Sequence, residues 1–145
     1  VASCTFLAMA GLNRLGLANV AQSAINPSEM LPAIAQGAIG IEWREADKKT
    51  ADILKKIHHE ETAQQINAER AFLAELDGSC QTPIAGLATI EGSSLKLTGQ
   101  VLRTDGSDSI SETASSNIED GPELGRELAQ KILAQAGPNF FDWRD

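Results

Sequence analysis

The apolar positions of this chain change period partway along it. Over residues 61–76 they fall at helical spacing, with Ile66, Leu73 and Leu76 marking a stripe and Ala63 and Phe72 flanking it. Beyond Pro83 the period drops to two. Residues 84–90 read as a strand, and Leu95, Leu97, Gly99 and Val101 alternate with Lys96, Thr98 and Gln100 in a second, half-buried one. Glu91-Gly92-Ser93-Ser94 is a turn between them. Thr104-Asp105-Gly106-Ser107 is a second hairpin signal, leading to a more polar third strand over 109–113, expected at an edge, with 115–117 as loop. Asp120 stands where it can cap a helix with Pro122 in its first turn. Leu124, Leu128 and Ile132 lie along one face of that helix, and Gly137-Pro138 stops it. From about residue 56 onward the pattern predicts a compact α+β unit: helix, three-stranded antiparallel sheet, helix.

The first 55 residues show no such closure. Residues 3–8 read as a short buried strand, 9–17 as a short helix or turn carrying Arg14, and 19–25 as another short helical pattern ended by Asn26-Pro27. Leu31-Pro32 opens an extended passage. Residues 33–42 are small and apolar with Gly37 and Gly40 inside, so Gln36-Gly37 is read as a place where something packs on the main chain. Glu45-Ala46-Asp47 introduces a helix over 48–57.

Between the helical and the alternating stretch sits Cys80. Asp77-Gly78-Ser79 is turn chemistry, with Gly78 expected to take the left-handed conformation that ends a helix, and Pro83 suits the start of a strand. Cys80 is thus held at a junction where a side chain can project into a cleft; the plainer alternative is a buried, inert thiol. Other candidates are weaker. Adjacent His58 and His59 point about a hundred degrees apart on a helix, so they do not converge on a metal, and the stretch reads as a solvated helix start. Residues 11–16 lack the spacing of a phosphate loop. Arg14 can hold a carboxylate or be a plain exposed arginine. No serine lies in a nucleophile elbow.

Composition narrows the classes. A net charge of -8 over 145 residues repels phosphate backbones, and the absence of Tyr argues against a base-stacking surface. No stretch is long and apolar enough to span a bilayer. Two cysteines are too few for a disulfide framework and suit a reducing compartment. The chain opens on Val1, inside what reads as an element, and is expected to be part of a longer protein.

Residues 69–85 resemble the cofactor-attachment signature of the porphobilinogen deaminase (hydroxymethylbilane synthase) family. Glu69, Arg70, Phe72, Leu76, Gly78, Ser79, Cys80, Thr82, Pro83, Ile84 and Ala85 meet it position by position. Residues 7–16, 31–42, 59–62 and 137–141 resemble further family segments. Trp43 and His58 depart from residues usual in the family, and neither touches the signature.

The resemblance implies the second half of an enzyme of about twice this length, with three domains. Residues 1–32 would end the second domain, 33–55 would be a hinge crossing back to the first, and 56–145 would form the third, cofactor-carrying domain. It implies a transferase that joins four porphobilinogen units, with loss of ammonia, onto a dipyrromethane cofactor bound through a thioether to Cys80, and then releases 1-hydroxymethylbilane by hydrolysis. Arg14 would bind pyrrole carboxylates, and Gln36 and Gly37 would line the cleft near the hinge. The catalytic carboxylate would lie in the other half, so no catalytic residue and no metal ligand is assigned here. The implied partners are porphobilinogen and the N-terminal half, not nucleic acid or membrane. The complete enzyme would be a monomer in the cytoplasm, or in a plastid of a eukaryote, and this half alone would not turn over. The alternative is a non-catalytic tetrapyrrole-binding or interaction fragment.

Overall fold

The structure, a computed structural model, describes residues 3–79, 81–137 and 140–141. The chain divides into two compact units, Val1–Met30 and Leu31–Asp145. In the first, helix α1 spans Met9–Arg14 and buries Leu12, and a single 3-10 turn follows at Ala18–Val20. Residues 3–8 do not form the expected strand: they are irregular and exposed. A short apolar run signals a tendency to be buried, but a strand exists only where a neighbour completes its ladder. The helical pattern over 19–25 likewise shrinks to that one turn.

The second unit begins with an extended segment and the helix α2, Lys48–Leu54, which tightens into a 3-10 turn at Lys55–Ile57. Asp47 caps α2, accepting from the Thr50 amide at 3.0 Å and the Thr50 hydroxyl at 2.7 Å. These bonds hold the Asp47 carboxyl below its ordinary pKa. Helix α3, Glu60–Glu75, is capped by His59, whose Nδ1 accepts from the Thr62 amide at 3.2 Å, with Glu60 and Glu61 in the first turn. The His58-His59 pair thus marks a helix start.

Strands β1 (Ile84–Glu91), β2 (Ser94–Leu102) and β3 (Ser109–Asn117) form an antiparallel sheet in the order β1-β2-β3. β3 runs past the expected end because Leu97 still faces Ala114 and Leu95 faces Ser116. Its serines had disguised the inward alternation of Ile110, Glu112, Ala114 and Ser116. Helix α4, Gly121–Gln135, buries Leu124, Leu128, Ala129 and Ile132. α3 packs over β1 and α4 over β3, and the two helices pack on each other. The result is the predicted α+β arrangement, one layer of helices on one face of the sheet.

The core runs between the layers: Phe72, Leu76, Leu95, Leu97, Val101, Leu128 and Ile132 are all fully buried. Phe72, expected at the flank of the stripe, is at its centre. Its ring lies on Gly99, where any Cβ would collide with it. Gly125 lets the helices close in the same way, since a Cβ there would come within 2.9 Å of the Phe72 amide nitrogen. At the rim, Lys131 Nζ meets Glu112 Oε2 at 2.6 Å and the Gln135 amide donates to the other oxygen. Lys131 first, then Gln135, holds the Glu112 carboxyl below its ordinary pKa.

Candidate functional site

Three of the four residues singled out in the sequence belong to the second unit: Gln36, Gly37 and Cys80. Arg14 lies exposed in the last turn of α1, in the first unit. Cys80 itself lies outside the described residues, but both shoulders of its loop are described.

The near shoulder is the end of α3. The Asp77 amide donates to the Ala74 carbonyl at 3.1 Å and the Gly78 amide to the Leu73 carbonyl at 3.0 Å, the two bonds of a Schellman cap. The left-handed residue in this cap is Asp77, at φ 55°, and not Gly78 as expected. Asp tolerates that conformation through its short polar side chain. Space is tight at Gly78: a Cβ there would run into Leu73 Cδ1 and stand 2.6 Å from Ile84 Cδ1, so those side-chain ends would have to shift.

The far shoulder is locked by Thr82. Its hydroxyl accepts from the Ser79 amide at 2.8 Å and donates to the Ser79 carbonyl at 2.7 Å. The Thr82 amide also donates to the Ser79 carbonyl at 3.2 Å, and the Ile84 amide donates to the Thr82 carbonyl at 2.8 Å. Pro83 then stands just before β1, and its carbonyl takes the Leu102 amide at 3.0 Å, opening the ladder to β2. The loop is closed by its own backbone, while Ser79 and Gln81, on either side of position 80, are exposed.

Gln36 and Gly37 sit on a turn docked against β1. Ala33 pairs antiparallel with Ala85, and the Gly86 amide donates to the Pro32 carbonyl at 3.0 Å. Ile34 leans over Gly86, where a Cβ would stand 2.7 Å from Ile34 Cδ1. The expected packing on the main chain at Gln36-Gly37 is not seen: a Cβ at Gly37 or Gly40 would have nothing within 4 Å, and the close approach is at Gly86, because it is β1 that this segment docks on. Gln36 and Gly37 are exposed, and Gly37 takes φ 83°. Ala35 also takes a left-handed φ, 57°, which costs a non-glycine residue about 1–2 kcal/mol.

The sequence placed Glu69 in the signature but gave it no role. It is buried, at 5% exposure. Its Oε2 accepts from the Ala35 amide at 2.7 Å and its Oε1 from the Ala88 amide at 2.8 Å. One side chain on α3 thus joins the turn that presents Gln36 to the strand that follows the Cys80 loop. A signal was present: Glu69 falls three residues after Ile66 and three before Phe72, inside the apolar stripe.

Two family models match the chain. The porphobilinogen deaminase C-terminal domain covers residues 63–134, and the porphobilinogen deaminase dipyromethane cofactor binding domain covers residues 1–52. A porphobilinogen deaminase of Paracoccus denitrificans is 52% identical over 99% of this chain and 46% of its own length. One of Maridesulfovibrio salexigens is 44% identical over 94% of this chain and 44% of its own length. The chain therefore spans about half the length of the curated relatives it matches.

Proposed function

This chain belongs to the porphobilinogen deaminase family, and from that premise we propose that it is the cofactor-attachment half of a hydroxymethylbilane synthase. Such a transferase of porphyrin biosynthesis joins four porphobilinogen units, releasing ammonia at each coupling, and then frees 1-hydroxymethylbilane by hydrolysis. The observation that carries the reading is the signature from Glu69 to Ala85, laid over a loop closed at both shoulders, with Ser79 and Gln81 exposed.

In this reading the Cys80 thiolate forms a thioether to a pyrrole methylene. Sulfur is a soft nucleophile, and a C–S bond to carbon resists hydrolysis, so the anchor survives repeated turnover. The dipyrromethane it holds supplies the free pyrrole carbon onto which each new ring is joined. Arg14 pairs with pyrrole acetate or propionate groups, for which its planar guanidinium is matched. Gln36 and Gly37 line the cleft. Residues 1–32 close the second domain, 33–55 cross through the hinge to the first, and 56–145 form the third. Turnover needs the part of the relatives' length that this chain does not span, which supplies the catalytic carboxylate. The assembled enzyme works as a cytoplasmic monomer.

Intact mass and Ehrlich's reagent test this on the chain produced together with its complementary half. The expected outcome is a mass increase matching dipyrromethane and a pyrrole colour, both lost in Cys80→Ala. An unmodified thiol in the wild type, or colour retained in Cys80→Ala, sinks the attachment. Bound pyrrole without consumption of porphobilinogen would favour the non-catalytic binding module. Arg14→Ala should lower kcat/KM for porphobilinogen by at least about tenfold, the size of one lost charge-assisted contact; unchanged kinetics would remove Arg14 from the site.

A further inference from the structure

We propose that Glu69 is a positioning residue: it holds Ala35 in its left-handed conformation and so sets where Gln36 and Gly37 stand relative to the strand that follows the Cys80 loop. The role of that turn rests on the reading above; the clamp itself rests on geometry alone. Among the described residues Glu69 is the one buried side chain that can carry a charge. An apolar residue at 69 would continue the α3 stripe with a smaller desolvation cost. The helix–sheet packing therefore does not call for a carboxyl. What the carboxyl adds is two acceptors aimed at two backbones remote in sequence, Ala35 at 2.7 Å and Ala88 at 2.8 Å.

The Ala35 end bears on conformation. A non-glycine residue at φ 57° persists only where its surroundings over-determine it. The local bonds of the turn, Gln36 amide to Ala33 carbonyl at 3.1 Å and Ala38 amide to Ala35 carbonyl at 3.3 Å, close the turn without holding the Ala35 amide itself. Glu69 holds it. Gln36 stands between two left-handed residues, Ala35 and Gly37, so a return of Ala35 to an ordinary conformation would redirect both Gln36 and Gly37. The Ala88 end fixes the same carboxyl to β1, which begins at Ile84, four residues after Cys80. The clamp thus couples the presenting turn to the anchor's own strand.

The test is Glu69→Leu. It continues the apolar stripe but removes both acceptors, so the Ala35 and Ala88 amides both lose their partner. In the 145-residue chain, hydrogen exchange at the Ala35 amide should accelerate by at least about tenfold, while amides of Leu97 and Ile132 change by less than about twofold. In the assembled enzyme, kcat/KM for porphobilinogen should fall by at least about tenfold with dipyrromethane still loaded. Adding Ala35→Gly, which reaches the left-handed region without strain, should recover at least about a third of the loss. Unchanged exchange at Ala35, equal acceleration through the core, full activity of Glu69→Leu, or no recovery with Ala35→Gly would each overturn the proposal. If the assembled wild type carries no pyrrole, the functional reading fails, and exchange at Ala35 still decides the clamp.

Discussion

Residues 3–57 and residues 60–141 treat their apolar side chains in opposite ways. In the later region the large apolar residues converge between two helices and a sheet, and Phe72, Leu97 and Ile132 lose all contact with solvent. In the earlier region Phe6, Leu15, Val20, Ile39, Ile53 and Ile57 are each more than half exposed, Ile39 at 92%. Hydrophobic content is therefore not what separates the regions. The later one contains both walls of its core, so apolar periodicity closes locally. In the earlier one Leu12 is buried and Ile34 packs on the later region's core, but most of the large apolar positions have no second layer among the described residues. Exposed apolar surface on that scale is characteristic of a face that meets something else. This fits the reading in which residues 1–55 complete two further domains of a longer enzyme.

The sharpest test of this contrast is a pair of truncations. Phe72→Ala should destabilise the helix–sheet unit by about 3–5 kcal/mol, whereas Ile53→Ala should stay within about 0.5 kcal/mol, both read by urea unfolding. Comparable losses at the two sites would mean that the earlier region has a core of its own. Next in size is a pair of glycines. Gly125→Ala forces a methyl against the Phe72 amide and the Ala68 carbonyl and should cost about 1–3 kcal/mol. Gly40→Ala has nothing within 4 Å and should be near neutral in the same titration.

The smallest effect is one of pH. The folded Glu112 carboxyl titrates below its ordinary 4.5, so its pairing with Lys131 stabilises the fold above that value. The contribution fades as the pH falls through the lower folded-state pKa. Thermal melts of Glu112→Gln should show a shallower loss of stability below about pH 4.5 than the wild type. Parallel acid limbs would remove Glu112 as a contributor.

Much of the later region was legible in the sequence. The helix over 61–76, the switch to alternation after Pro83 and the Leu124-Leu128-Ile132 face appear within a residue or two of where they were expected. Residues 3–8 were misread because an apolar run does not say whether a ladder partner exists. The end of β3 was misread because Ser115 and Asn117 are polar on the outward face of a strand that continues. Around the candidate site, Cys80, Arg14, Gln36 and Gly37 stood out through resemblance. Thr82 and Glu69 stood in the same signature, but what they do there did not show, since both act on backbone groups that no periodicity reports.

By itself, then, the sequence determined the order and type of the elements in residues 60–137 and the loop on which Cys80 is carried. Those follow from local rules: which face of an element is apolar, and where turn residues interrupt it. Only the tertiary structure decided that Asp77 takes the left-handed cap position while Gly78 stands at the close approach of Leu73 and Ile84. It also decided that a glutamate belongs inside the apolar stripe. The Glu69 partners lie 34 residues before it and 19 after it. A buried carboxyl is tolerable only when such distant backbone donors arrive together, and that is a property of the packed chain.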